Sequence, residues 1–289
     1  MEVSEYLSPR DLGRAVGLSE SSVRRWADDG RLRAERTAGG HRRIARAEAV
    51  RFIRETGLEL LRPDLLGFPR IESQTSTGLV PAADALVDAL RSADHVGARR
   101  MLVSAFLDGA PLAEICDGPI RLALREMGLL WRRGPEGIAH EHRAVDVCLH
   151  ALMEIRSAMP DRLGAPVAVG GAVEGDPYVL PSVMTTVVLA DVGFRALNFG
   201  PDLPSDALLA AIEMYGPALV WRASSFAGAG ATLRREARVV GDLPEDRQPD
   251  FVIGGPGFTA SDMPRGSRVQ RLHSMSELAG FGRAILARR

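Results

Sequence analysis

Residues 19–44 read SESSVRRWADDGRLRAERTAGGHRRI, and this stretch decides the fold of the N-terminal region. Ser19 is suited to cap a helix, and Val23 and Trp26 lie three residues apart, so both face inward from that helix. Gly39-Gly40 then predicts a two-residue hairpin turn between extended arms. A short helix followed by a hairpin is the order found in a winged helix-turn-helix.

The flanking residues complete this motif. Upstream, Ser8 and Asp11 form a capping box at the start of a first helix, which Gly17 ends. Downstream, residues 47–55 predict a third helix beneath the hairpin. We therefore predict a winged-helix DNA-binding domain over residues 1–60, whose second helix enters the major groove.

The same stretch resembles the heads of MerR-family regulators, especially the short BldC-like type with its R-T-x-G-G-H-R-R tip. The resemblance covers roughly residues 5–55. We interpret Trp26 as a core residue, because its spacing from Val23 turns it inward. By position, the resemblance implies these DNA contacts on the recognition helix and the wing: Ser21, Ser22, Arg24, Arg25, Arg36, His41, Arg42 and Arg43.

The charge is distributed unevenly along the chain. The 289 residues carry 36 basic and 37 acidic side chains, and every basic residue is arginine. Residues 1–56 hold 12 Arg against 9 acids, whereas the remainder holds 24 Arg against 28 acids. A near-neutral total thus conceals a basic head on an acidic body, which favours nucleic-acid binding by the head.

Several protein classes are excluded by composition. The sequence contains no run of about 18 apolar residues, so it predicts no membrane span. The N-terminus lacks the pattern of a secretory signal. The two cysteines, Cys116 and Cys148, are typical of a reduced cytoplasmic protein without a disulfide or zinc framework. We expect a cytoplasmic protein with no metal site, no catalytic residues and no membrane partner.

The body predicts a linker and two further domains. Residues 61–81 contain three prolines and a Ser/Thr/Gln cluster, which is typical of a linker. Residues 82–160 predict a four-helix bundle, whose third helix runs from Pro111 to Leu130. Over residues 161–289, five apolar strands alternate with helices, which predicts a doubly wound parallel, Rossmann-like sheet. Such sheets bind ligands at the carboxyl ends of their strands.

Bundle and sheet together resemble the cobalamin-binding module of methionine synthase, and with the head the chain is similar to the CarH/LitR light-sensing regulators over about residues 5–285. Trp131, Glu141 and His142 match the W-x9-E-H motif of that group, which lies over the upper face of the corrin. From the residues alone, an amphipathic Trp beside a capping carboxylate remains the alternative.

The chain departs from the resemblance at the cobalt ligand. Such modules use D/E-x-H-x-x-G, whose His is the lower ligand, but here Asp176 replaces that His and Val179 replaces the Gly. Tyr178 is large enough to fill part of the slot. Arg132 stands where light-sensing members carry a second His, and it can pair with an acidic ligand. The resemblance further places Ser224, Gly254 and Gly255 along the slot for the nucleotide tail.

We therefore predict a DNA-binding transcription regulator, not an enzyme, whose C-terminal module senses a ligand or light and controls oligomerisation. The expected partners are double-stranded operator DNA, further copies of the chain in a dimer or tetramer, and a small molecule. The cofactor is left open between cobalamin held without a His ligand, another chromophore, and none. The alternatives are a regulator with a ligand-free scaffold, and a corrinoid-dependent enzyme subunit.

Overall fold

The computed structural model describes residues 5–68, 80–130, 134–264 and 268–289. The chain divides into two compact units: residues 1–111 with 118–160, and residues 112–117 with 161–289. Within the described ranges, no helix is both long enough and apolar enough to cross a membrane.

The head, residues 5–68, is a winged helix-turn-helix, as predicted. A three-stranded antiparallel sheet in the order β1-β3-β2 packs with three helices. Its elements are β1 (Tyr6–Leu7), α1 (Pro9–Ala15), α2 (Glu20–Asp28), β2 (Glu35–Arg36), β3 (Arg42–Ala45) and α3 (Arg46–Thr56).

Local hydrogen bonds explain where the first two helices begin. Ser8 Oγ accepts from the Asp11 amide at 3.1 Å and donates to the Asp11 carboxylate at 2.7 Å. Ser19 Oγ accepts from the Ser22 amide at 3.2 Å. Each hydroxyl satisfies an amide that the helix leaves without a partner, so the caps fix both helix starts.

The wing turn differs from the predicted two-residue turn. The Thr37 amide donates to the His41 carbonyl at 2.9 Å, and the Gly40 amide donates to the Thr37 carbonyl at 2.9 Å. Three residues therefore separate the last paired positions. A two-residue type I′ turn needs positive φ at both central residues, but only Gly40 has it, at +78°. The loop is a turn closed by a left-handed glycine.

The first residues of the predicted 61–81 linker are packed onto the head. Residues Pro63–Leu66 form a 3-10 turn, and Leu66 and Phe68 are buried. The Arg46 guanidinium lies 4.6 Å from the Phe68 ring centroid and donates to the Leu66 carbonyl. Residues 69–79 of the predicted linker lie outside the described residues.

The bundle, residues 82–160, is helical, as predicted, but its third helix is interrupted. The bundle elements are α4 (Ala83–Arg91), α5 (His95–Leu107), α6 (Leu112–Ile115), α7 (Arg121–Leu129) and α8 (Pro135–Ser157). A π-helical turn, Cys116–Ile120, separates α6 from α7 and contains Pro119. Proline lacks the amide that continues an α-helix, so the predicted single helix becomes two.

Residues 112–117 pack with the sheet domain rather than with the rest of the bundle. The Leu112 amide donates to the Asp191 carboxylate at 3.4 Å. Asp117 accepts from the amides of Met275 and Ser276, both at 2.8 Å. Asp117 thereby supplies acceptors to the first amides of the last helix, from a position 158 residues earlier in the chain.

The sheet domain is the predicted five-stranded parallel sheet, in the order β5-β4-β6-β7-β8. One apolar cluster joins its α10 and α11 helices to Val169, Val220 and Phe251, and α9 packs with α12. Its elements are β4 (Val167–Ala172), α9 (Leu180–Val192), β5 (Arg195–Asn198), α10 (Ser205–Tyr215), β6 (Leu219–Ala223), α11 (Gly230–Gly241), β7 (Asp250–Gly254), β8 (Val269–Leu272) and α12 (Met275–Ala287).

A buried ion pair braces the carboxyl end of this sheet. Arg222 of β6 pairs with Glu236 of α11, and neither side chain is exposed. Arg222 Nη1 donates to the carbonyls of Ala172 and Leu203, both at 3.0 Å. Ser205 Oγ donates to Glu236 at 2.7 Å. The two charges are thus satisfied by partners on β4, the β5–α10 loop and α10.

Removing one member of this pair should destabilise the sheet domain strongly. We expect Glu236→Ala to lower the free energy of unfolding by about 3–5 kcal/mol, because it leaves Arg222 charged, buried and unpaired. Urea denaturation measures the change. The control is Asp206→Ala, which removes an exposed ion pair with Arg235 and should change stability by less than about 0.5 kcal/mol. If Glu236→Ala does not fold, Glu236→Gln replaces it; equal stability of control and variant would contradict the expectation.

Candidate nucleic-acid interface and sheet-edge site

The recognition helix α2 presents two arginines in different states. Arg24 forms an exposed ion pair with Glu20 at 2.5 Å. Arg25 is exposed, and within the described residues it forms no ion pair. Ser21 and Ser22 lie at the helix start, where their hydroxyls contact Ser19 Oγ at 2.8 and 2.9 Å. The predicted serine contacts are therefore part of the helix cap.

The wing arginines also differ from one another. Arg42 is half-buried and pairs with Asp28 at the end of α2, which ties the wing to the recognition helix. Arg43 pairs with Glu35 at 2.7 Å, and its guanidinium lies 4.2 Å from the Tyr6 ring centroid.

Two predicted wing contacts are more open. Arg36 is exposed and has no ion pair within the described part of the chain. His41 is exposed at the tip, where its amide donates to Thr37 Oγ1 at 3.2 Å. Arg25 and Arg36 are thus the predicted arginine contacts whose charge is not already engaged.

Glu48 is a residue that the sequence analysis missed. It lies on α3, is largely buried, and accepts from the Arg33 amide at 2.8 Å and from Arg51 Nε at 2.7 Å. Burial opposes its charge, but the hydrogen bonds from Arg51 and from the Arg33 amide hold its pKa below the usual value. Glu48 therefore anchors the chain just before the wing, and no spacing rule links it to Arg33.

The predicted bundle motif is described only in part. Trp131 and Arg132 lie outside the described residues. Glu141 and His142 lie in the second turn of α8 rather than at its start. His142 is exposed, and its Nδ1 lies 3.0 Å from the Ile138 carbonyl and 3.1 Å from Glu141 Oε2.

Asp176 lies at the carboxyl edge of the sheet and is completely buried. Its Oδ1 accepts from the Tyr178 amide at 3.0 Å, and its Oδ2 accepts from the Ser225 amide at 2.6 Å. Both carboxylate oxygens are therefore used by the backbone. One bond is local, whereas the other joins the loops that follow β4 and β6.

A third loop is tied to the same place. The Gly175 amide donates to the Asp202 carboxylate at 2.6 Å, and the Asp202 amide donates to the Asp176 carbonyl at 2.9 Å. Asp202 has φ +49°, a conformation that costs a non-glycine residue about 1–2 kcal/mol. The reciprocal bonds between the β4 and β5 loops offset this cost.

The other predicted slot residues contact each other. Ser224 is buried, and its Oγ donates to the Phe226 carbonyl at 3.0 Å. A Cβ at Gly255, which has φ +102°, would lie 3.1 Å from the Ser224 carbonyl carbon, so this glycine permits a close approach of two backbones. Gly254 ends β7 next to Ala223, and Tyr178 is exposed at the same edge.

The described residues contain no cluster of three or more His, Cys, Asp or Glu side chains arranged to hold a metal ion.

Comparison with known proteins assigns two parts of the chain. Residues 6–57 match the helix-turn-helix domain family, and residues 82–155 match the B12 binding domain family. The chain is thus similar to two domain families in two separate segments. The second match falls on the helical bundle, and the first falls on the head.

Individual proteins resemble the chain over different lengths. The HTH-type transcriptional repressor CarA of Myxococcus xanthus is 28% identical over 258 residues, which is 86% of each chain. Dimethylamine corrinoid protein 1 of Methanosarcina acetivorans is 26% identical over 95 residues, and the match spans 32% of this chain and 45% of that protein. The structure of the Methanosarcina barkeri monomethylamine corrinoid protein superposes with a TM-score of 0.55 at 14% identity, over 70% of this chain and 96% of that one. This last likeness supports the fold.

A corrinoid held through the usual cobalt position does not fit the residues present. The carboxylate at position 176 is buried and already accepts two amide hydrogen bonds. Turning this carboxylate toward a cobalt ion would disturb these bonds, and it would offer a harder oxygen donor in place of the imidazole nitrogen that cobalt favours.

Glu48 makes the stability of the head pH-dependent. Because its pKa is lowered on folding from 4.5, its stabilisation is present above pH 4.5 and is lost as pH falls through the folded pKa. We expect Glu48→Gln to cost about 1–2 kcal/mol at pH 7 and progressively less below pH 4.5. The control is Glu55→Gln, which affects the exposed partner of the same Arg51. A cost that stays constant from pH 7 down to about pH 3, measured by denaturation, would contradict this assignment.

The unpaired arginines should dominate the salt dependence of DNA binding. We expect Arg25→Ala and Arg36→Ala each to weaken binding and to reduce the slope of log K against log salt by about 1, as the loss of a phosphate contact does. Fluorescence anisotropy across a salt series measures both quantities. Arg235→Ala, an exposed arginine of the sheet domain, is the control; an unchanged slope in both head variants would remove these residues from the interface.

Proposed function

We propose that the chain is a DNA-binding transcription regulator whose C-terminal module controls the assembly, and thereby the DNA affinity, of the head. The observation that carries this proposal is the head itself. Arg25 lies on the exposed face of the second helix of a helix-turn-helix, and Arg36 lies on the adjoining wing. The overall likeness to a protein named as a transcriptional repressor supports the same role.

The DNA-facing ion pairs are compatible with this role. Arg24–Glu20 and Arg43–Glu35 are both exposed, and exposed pairs contribute only about 0–1 kcal/mol. Phosphates can therefore replace the carboxylates at low cost. Arg42 differs, since it is more buried than the other two and links the wing to α2. We propose that Arg42 orients the wing, while its neighbours contact DNA.

We further propose that the chain acts as a dimer or tetramer. One winged helix reads only a half-site, so a specific operator requires at least two heads at a fixed spacing. The body then regulates by binding its signal with different affinity in two assembly states, which shifts the population between them. The signal is a small molecule or light acting at the module, and the protein acts in the cytoplasm.

A second candidate function is a regulator whose corrin-type module is a ligand-free interaction scaffold. The specific observation in its favour is the sheet edge, where Asp176, Ser224 and Gly255 bond to or pack against the chain itself. A corrinoid-dependent enzyme subunit is supported less, because the residue at the cobalt position does not suit ligation and a winged head has no role in such a reaction.

Selection from random duplexes tests the proposed function directly. The full chain should enrich one sequence containing two related half-sites, and binding to that sequence should be at least about 10³-fold tighter than to a shuffled control. Light scattering of the complex on that site should give a protein mass of at least two chains of 31.1 kDa. Recovery of no sequence preference, or of a single half-site bound by one chain, would contradict the proposal.

Addition of cobalamin then distinguishes the two candidates. In the sensor case, hydroxocobalamin or adenosylcobalamin, in dark or light, changes the affinity for the selected duplex or the oligomer mass. In the scaffold case, both quantities stay unchanged while DNA binding persists.

A further inference from the structure

The sheet order places a crevice between β4 and β6. From β4 the chain continues to β5 on one side, and β6 pairs with β4 on the other side. Chain connections therefore diverge at the carboxyl ends of β4 and β6, which is where open α/β sheets bind their ligands. This is also the position of Asp176 and Ser225, which follow these two strands.

Hydrogen bonds between loops of the chain close the opening, or mouth, of this crevice. The Ser225 amide donates to Asp176 Oδ2 at 2.6 Å, and the Val173 amide donates to the Ala223 carbonyl at 3.0 Å. The β5 loop joins them through Asp202 and Gly175. A single buried carboxylate and its neighbours thus hold together the loops that follow three adjacent strands.

The space below the mouth is also filled. Trp221 of β6 lies beside Gly170 of β4, and a Cβ on that glycine would lie 2.6 Å from the indole Cγ. The indole is 2% exposed, and its Nε1 has no hydrogen-bond partner among the described residues. A buried indole that gives up its hydrogen bond is explained by packing, because it occupies volume next to a residue without a side chain.

We infer that the buried Asp176 carboxylate is a structural lock, which means a hydrogen-bonded link between the loops after β4 and β6, and not a metal ligand. These bonds order the edge without a cofactor. Asp176 therefore forms no bond to cobalt. Trp221 fills the crevice beneath the lock. The inference concerns the same edge as the proposed sensor, but it holds whether or not the head binds DNA.

The amides of Ser225 and Tyr178 report whether the Asp176 lock is formed. In hydrogen exchange of the full chain, Asp176→Ala should speed exchange at Ser225 and Tyr178 by about tenfold or more, since both amides lose a charged acceptor. Glu174→Ala, an exposed acid two residues away, is the matched control and should leave both amides unchanged. If Asp176→Ala does not fold, Asp176→Asn serves, because its single carbonyl oxygen can protect only one of the two amides well. Unchanged exchange at both amides in every Asp176 variant that folds would overturn the inference.

Absorption spectroscopy tests whether Asp176 forms a bond to cobalt. Hydroxocobalamin added to the wild-type chain in the dark should keep the spectrum of free cobalamin, in which the cofactor's own base stays on cobalt. A shift to the spectrum of a displaced base that disappears in Asp176→Asn would show ligation by Asp176 and overturn the inference. DNA affinity measured on the same preparations separates this result from the proposed function. The inference about Asp176 can be wrong while specific DNA binding persists, and specific DNA binding can be absent while the inference holds.

Discussion

The Arg222–Glu236 pair constrains the sheet domain more than any other interaction described. Two opposite charges without solvent contact are tolerated only when their geometry is good and their remaining hydrogen-bonding groups are satisfied. Here the satisfaction comes from Ser205 and from the carbonyls of Ala172 and Leu203. The ends of β4 and β6, the β5 loop and α11 are thereby held together at the edge of the sheet where Asp176 also lies.

The head follows a different physical principle, because its charges are exposed and their pairings are weak. Glu20 and Glu35 each engage an arginine that we propose as a DNA contact. The arginines that set geometry are less exposed: Arg42, which pairs with Asp28, and Arg51, which pairs with Glu48. Under the proposed function, arginine therefore fixes geometry where it is half-buried and contacts DNA where it is exposed.

Sequence reasoning succeeded where the determining interactions are local. The helix starts at Ser8 and Ser19 are confirmed, since each capping side chain and the amide that it satisfies lie within the same short segment. It failed at Pro119, where a continuous apolar stripe concealed the π-helical turn. The burial of Arg222 was not predicted, because its partner Glu236 lies on another element of the domain. The bond from Asp176 to Ser225 spans 49 residues, and no pattern within either segment specifies it.

The segment Leu112–Asp117 belongs by packing to the second unit, although chain of the first unit precedes and follows it. The backbone thus crosses between the units three times, and a cut after Pro160 does not separate two intact modules. A fragment beginning at Asp161 would lack the carboxylate that caps α12 through Met275 and Ser276. The two units are consequently interleaved in sequence. A contiguous fragment that contains all of the second unit must therefore also carry residues 118–160 of the first.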